Sequence, residues 1–327
     1  MSHRWRFTID IVKGLTDIPG ILVGHASDFE GRTGCTVMLF ENGAAGGVDV
    51  RGSATGTEEF GLLDPMHITE KLDAVVFSGG SAFGLETASG VRRFLASKGI
   101  GFPTGAGPVP LVAGAILFDL PFAKKGARPS REMGEMAAAA ASSKTVEEGA
   151  VGAGTGATVG KLFGMPRAMK SGVGTFTVQL PEGVLVSCLA VVNAFGDIVD
   201  PESGKIVAGA RAAAGSREFA NTARSMKEGT RGGFDRQNTT LVVVATNAQF
   251  SKVGATKIAQ FGSAGMARAI YPAWTMFDGD VVIGLSAGGR KADINTVGVA
   301  AAEAVSQAIL RAVRMAPSFG GLPGLKS

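Results

Sequence analysis

Short apolar runs alternate along the chain with longer stretches of helical pattern, and glycine-rich or polar segments separate them. Residues 72–77 form a mostly apolar run that enters Ser78-Gly79-Gly80-Ser81, which predicts a strand, a turn and then a helix over 85–97. The alanine-rich stretch within 128–148 predicts a second helix, followed by a glycine-dense loop over 149–160. Residues 184–193 read as a strand and 202–226 as helical in part. The polar, charged segment 227–238 suits an exposed loop, and a buried strand of β-branched type begins soon after it, at Leu241. A helix over 252–270, a strand over 281–285 and a long helix over 294–315 complete the pattern. Residues 1–60 read as short strands and turns punctuated by glycine. The alternation has no composition break, repeat or linker, so 1–327 is expected to form one α/β domain.

Composition narrows the function classes. Glycine is frequent, 49 of 327 residues, but without a collagen period, and an apolar content of 45% excludes disorder. Net charge is only +4, and the aromatic residues are 19 Phe against one Tyr and two Trp, which favours core packing over base stacking; no nucleic-acid partner is expected. The longest apolar stretches, such as 109–118, fall short of the ~20 residues that a membrane span needs. The N-terminal stretch has no signal-peptide core, so the expected location is the cytoplasm, without a membrane partner. Cys188 sits in an apolar run and reads as a buried free thiol, and with Cys35 as the only other cysteine a cysteine-based zinc site is excluded. His3, His25 and His67 are the only histidines, all near the start of the chain, so neither a three-histidine metal site nor a Ser–His–Asp triad is expected.

Three motifs fail on inspection. The segment GTGATVGK (154–161) has threonine where a phosphate loop needs its first glycine, and leucine follows Lys161. The same segment misses the dinucleotide pattern because its third glycine comes one residue late. Ser81 in GGSAFG (79–84) has phenylalanine where a nucleophile elbow needs glycine, so it reads as a helix cap or turn residue. The segment NTTLVVVATN (238–247) holds more. On its residues alone it is a strand entered from a polar loop. A second reading is chemical: if the bond before Thr239 breaks, the freed α-amine, with a pKa of ~8, can take the proton of the Thr239 hydroxyl and activate it without a histidine.

That segment resembles the self-cleavage site of the L-aminopeptidase/D-esterase (DmpA-like) family, which also includes β-peptidyl aminopeptidases and 6-aminohexanoate oligomer hydrolases. The resemblance extends over TDIPG (16–20), VVFSGGSAFGLE (75–86), AILFD (115–119), GAGTG (152–156), VVN (191–193) and DGD (278–280), in family order. It implies a four-layer αββα sandwich made as a precursor, cut between Asn238 and Thr239 into chains 1–238 and 239–327. It also implies hydrolysis of peptide or other amide bonds through an acyl-enzyme on Thr239, with no cofactor or metal, in a homotetramer. By the same resemblance, Asn193 donates its amide to the oxyanion, Lys161 assists as the lysine of the oligomer-hydrolase branch does, and Asp278 and Asp280 hold the Thr239 amine and hydroxyl. Residues two apart in an extended stretch face one side, which allows both carboxylates to reach that point. Two departures stand out: the aminopeptidase branch uses a tyrosine around the region of Lys161, whereas the only tyrosine here is Tyr271, next to the aspartates, which bears on specificity; and Trp274, where many relatives have histidine, bears on the local geometry near Asp278. An ornithine acetyltransferase-like acyltransferase, or a non-catalytic relative of the fold, are the alternatives.

Overall fold

Three buried apolar clusters divide the chain into four layers. The computed structural model describes residues 13–231 and 238–327. The N-terminal stretch and residues 232–237 of the polar loop lie outside the described residues. The first sheet contains β1 (Ile21–Asp28), β2 (Thr33–Val50), β3 (Thr57–Glu58), β4 (Leu72–Ser78) and β5 (Val112–Ile116). Its order is β3-β5-β4-β2, with β1 on the other edge of β2. Helices α1 (Glu86–Ser97) and α2 (Arg131–Ala139) cover its outer face through Cys35, Val37, Val76, Ala88 and Val91.

Two short strands, β6 (Thr158–Val159) and β7 (Met169–Lys170), form a separate ribbon, and β8 (Val173–Gln179) and β9 (Leu185–Asn193) follow. A small sheet joins β10 (Asp197–Val199) and β11 (Ile206–Ala208), and α3 (Thr222–Lys227) comes next. Then come β12 (Thr239–Ala248), α4 (Lys252–Ala269), β13 (Ile270–Tyr271), β14 (Val281–Arg290) and α5 (Ile294–Arg314). The second half of β2 pairs with β14, and the order β2-β14-β12-β9-β8 makes the second sheet.

In β12, alternate residues serve two cores: Leu241, Val243 and Ala245 fill the space between the sheets, and Val242 and Val244 face α4 and α5. Burial on both faces explains why the strand reads as a continuous apolar run rather than an alternating one. Helix–sheet–sheet–helix stacking is the expected αββα sandwich. Helix α5 is long and apolar enough to cross a membrane, but 67% of that stretch is buried in the protein core. Both cysteines are buried free thiols.

The strands and helices expected around 72–77, 85–97, 184–193, 241–244, 252–270, 281–285 and 294–315 are present, and the expected second helix is α2. One expectation changes and two become specific. Residues 33–50 form one long strand, not short strands and turns. Gly34 and Gly47 lie inside it because a Cβ there would meet Gly152 O at 2.4 Å or Thr256 N at 2.2 Å; they permit close approach rather than turning. Within 202–226 only α3 is α-helical, since Asp197 captures the Ala210 and Thr222 amides at 2.8 and 2.7 Å and holds the alanine-rich stretch between them off the helical path. Ser81 is a turn residue, at φ 55°, and the residue capping its short 3-10 turn is Gly80.

Helices α4 and α5 touch through glycine: a Cβ on Gly265 would lie 2.2 Å from Ala302 O. Gly265→Ala is therefore expected to push the helices apart and lower stability by about 1–3 kcal/mol, as read from urea unfolding.

Candidate active site

Sheet register assembles the site at one end of the second sheet. Thr239 opens β12 and lies directly across from Asn193, the last residue of β9. On the other side, β14 runs parallel to β12 from the pair Leu241 and Val281, which puts Asp280 beside Thr240. By strand alternation, Thr239 and Asn193 share the inter-sheet face with Leu241 and Val191. Lys161 is brought in by the turn at Gly160 (φ 71°), whose amide bonds to Gly196 O, while the Lys161 amide bonds to Phe195 O. A Cβ on Gly160 would lie 2.0 Å from Ala210 N, so only glycine allows this approach.

All five expected residues are buried: Asn193 at 0% exposure, Thr239, Asp278 and Asp280 at 2% and Lys161 at 5%. The Lys161 ammonium donates to Asn193 Oδ1 at 2.7 Å and to Asn193 O at 2.9 Å. The Thr158 amide also donates to Asn193 Oδ1, at 3.1 Å. With its oxygen so engaged, the Asn193 side chain presents Nδ2 as donor; one hydrogen goes to Phe118 O at 3.1 Å, and an amide nitrogen carries two.

In the uncut chain the carboxylates are held by backbone amides and by one hydroxyl. Asp278 accepts from the Thr275 amide at 2.8 Å and the Thr275 hydroxyl at 2.7 Å. Asp280 accepts from the Thr240 amide at 2.7 Å and the Trp274 amide at 3.4 Å. The Thr239 hydroxyl instead donates to Asn238 O at 2.6 Å, the carbonyl of the bond expected to break. Trp274 sits at φ 59°, a conformation rare for a bulky residue, and that bend is what aims its amide at Asp280. Tyr271 is 54% exposed on the surface. His25 lies beside the Thr36 hydroxyl, and burial pushes its pKa down to about 4.

Burial governs the electrostatics. It pushes the Lys161 ammonium down to about 7, opposed by the attraction of Asp278, Asp119 and Asp280. Burial, and then repulsion from Asp278, pushes Asp280 up to about 7, and burial also raises Asp278. The folded chain thus keeps the Asp280 proton to about pH 7, whereas the unfolded carboxyl releases it near ~4. Between those values the folded state binds more protons, so this group's contribution to stability falls as pH rises from ~4 to ~7. Asp280→Asn is expected to shrink that fall, measured as urea midpoints at pH 5 and 7; an unchanged fall would count against it.

Two buried groups escaped the sequence reading. Asp119 accepts from the Thr33 hydroxyl at 2.6 Å and the Gly80 amide at 2.7 Å, and its charge faces Lys161. A carboxylate closing the apolar run AILFD was its only signal. Lys170 donates to Gly154 O, Ala157 O and Ser171 O and so ties down the glycine-rich turn that precedes Thr158; nothing in its neighbourhood in sequence marks it. Among the described residues no group of three or more His, Cys, Asp or Glu is placed to hold a metal.

Comparison with known proteins gives this constellation a context. The chain is 36% identical to an uncharacterized aminopeptidase of Mycobacterium tuberculosis (strain H37Rv), over 95% of this chain and 96% of that one. It is 29% identical to a 6-aminohexanoate-oligomer endohydrolase of Kocuria sp. (strain KY2), over 91% of this chain and 85% of that one. Among solved structures, the L-aminopeptidase D-Ala-esterase/amidase of Ochrobactrum anthropi, described as a variant of the Ntn-hydrolase fold, superposes with a TM-score of 0.71 at 18% identity. That match covers 95% of this chain and 88% of the other. A Burkholderia sp. beta-aminopeptidase gives 0.69 at 20% identity, covering 96% and 91%. The family model for peptidase family S58 matches residues 13–326, and the chain belongs to that family of amide-bond hydrolases.

Proposed function

We propose that this hydrolase is made as an inactive single-domain chain that cuts itself between Asn238 and Thr239, and then uses Thr239 as its N-terminal nucleophile. The observation that carries the reading is the position of the Thr239 hydroxyl, 2.6 Å from Asn238 O, at a strand start that faces Asn193. Its freed α-amine takes the hydroxyl proton as Oγ attacks the substrate carbonyl. The oxyanion is met by the second hydrogen of Asn193 Nδ2 and by the charge of Lys161. The amine product leaves with the proton, and water then releases the acyl group from Thr239. Asp278 and Asp280 offset the positive charge that cleavage creates on Thr239.

The substrates are small peptides or oligoamides. The aminopeptidase name of the mycobacterial relative and the oligomer substrate of the Kocuria relative support this class. A cytoplasmic homotetramer without cofactor remains the assembly and setting implied by the family resemblance. The test is rapid quenching of the processed enzyme with an amide substrate, followed by mass measurement of the separated chains. The reading expects a transient acyl adduct on the 239–327 chain, at Thr239. An adduct on any other residue would overturn it.

A further inference from the structure

The segment just before Thr239 is pinned on both sides by backbone. The Asn238 amide donates to Phe277 O at 2.9 Å, and Asn238 O accepts from the Gly279 amide at 2.7 Å, a one-residue parallel bridge between Asn238 and Asp278. The segment carrying Gly279, just before β14, is itself clamped from its other edge. Ala54 N donates to Asp278 O at 2.9 Å, and Gly52 N donates to Asp280 O at 3.1 Å. The Gly279 N–H therefore has little freedom to turn away from the Asn238 carbonyl. Position 279 also has no room for a side chain: a Cβ would lie 2.7 Å from Thr239 Oγ1 and 2.6 Å from Ala54 O.

We infer that the backbone N–H of Gly279 is the oxyanion donor for self-cleavage, separate from the Asn193 and Lys161 pair proposed for substrate turnover; the inference rests on the self-processing reading above. In the first step Thr239 Oγ bonds to the Asn238 carbonyl carbon, and the carbonyl oxygen takes up negative charge against the Gly279 N–H. The carbon–nitrogen bond then breaks, its electron pair stays on the Thr239 nitrogen, and the hydroxyl proton ends there, leaving an ester and a free amine. Water hydrolyses that ester to the Asn238 carboxylate and restores the hydroxyl. Hydrogen bonds aimed at a position where charge develops act most strongly when they are fixed beforehand, and the double clamp fixes this one. The two reactions thus share a nucleophile and differ in their oxyanion donors, because the scissile carbonyl lies on the β14 side of Thr239 and Asn193 lies on the β9 side.

The test exchanges one N–H for an oxygen and adds no side chain. Full-length protein is produced with glycolic acid in place of Gly279, which turns that N–H into an ester oxygen, and the loss of the uncut chain is followed over time. Loss of one such donor is expected to slow cleavage by ~10²–10³-fold. An ester at Gly215, an exposed loop glycine whose added Cβ would meet nothing, serves as control. Cleavage of the Gly279 ester at the wild-type rate would overturn the inference alone. A wild-type chain that never cleaves would remove the self-processing reading, and the inference with it. A second measurement does not depend on the ester variant folding: in uncut Thr239→Ala protein, the Gly279 amide is expected to be protected from hydrogen exchange, and exchange at the rate of an open amide would overturn the inference.

Discussion

Thr239→Ala is expected to leave one uncut 33.2 kDa chain and to lower amide hydrolysis by at least ~10⁴-fold. Both losses follow from one atom, because Oγ1 is the group placed against the Asn238 carbonyl and is also the proposed nucleophile in turnover. Folding should survive the change: the residue is small, it starts a strand whose other residues fill two cores, and the lost hydrogen bond is worth about 1 kcal/mol. A melting transition close to that of the parent would separate loss of chemistry from loss of structure. Thr239→Ser retains the hydroxyl and is expected to cleave itself and to hydrolyse amides. An active Thr239→Ala chain would mean that the nucleophile lies elsewhere.

The second large effect is expected at Lys161. Its ammonium supplies two hydrogen bonds to Asn193 and is the cation that faces Asp119, Asp278 and Asp280 in a buried setting. Lys161→Met keeps much of the volume and removes both functions. It is expected to reduce kcat by ~10²–10³-fold with a smaller change in KM, since the loss falls on charge that develops in the transition state. Without the cation the three carboxylates are expected to hold their protons to higher pH, moving the acid limb of the rate profile upward. Lys161→Arg is not expected to restore activity, because the planar guanidinium cannot occupy the space of a compact ammonium between Asn193 and the turn at Gly160. A kcat within a few-fold of the parent for Lys161→Met would assign the lysine to packing alone.

The candidate site was legible through the family resemblance, since on pattern alone its residues read as strand starts and turns. Thr239, Asn193 and Asp280 lie at or next to the ends of buried strands, but it was the motifs NTT, VVN and DGD, matched to the family, that singled them out. Pattern located α4 and α5, since both are long and present an apolar face to the sheet. What pattern could not supply is distance between remote segments. The glycines of β2 read as turn signals because glycine marks both a turn and a close approach, and only the packing against Gly152 and Thr256 separates the two. Lys170 was illegible because its partners are backbone carbonyls, which every residue carries. The carboxylate contacts of the uncut chain were illegible for a related reason: a strand repeat shows which side a residue faces, and the positively turned backbone at Trp274 decides which amide Asp280 meets.

The proposed self-cleavage at the Asn238–Thr239 bond connects every part of this mechanism, and the intact mass of purified, denatured protein reads it directly. The 89 residues from Thr239 to the end, in proportion to 33.2 kDa, should appear as a chain of about 9 kDa beginning with threonine, beside one of about 24 kDa. A single species of 33.2 kDa that persists after prolonged incubation of the folded protein would contradict the proposed nucleophile.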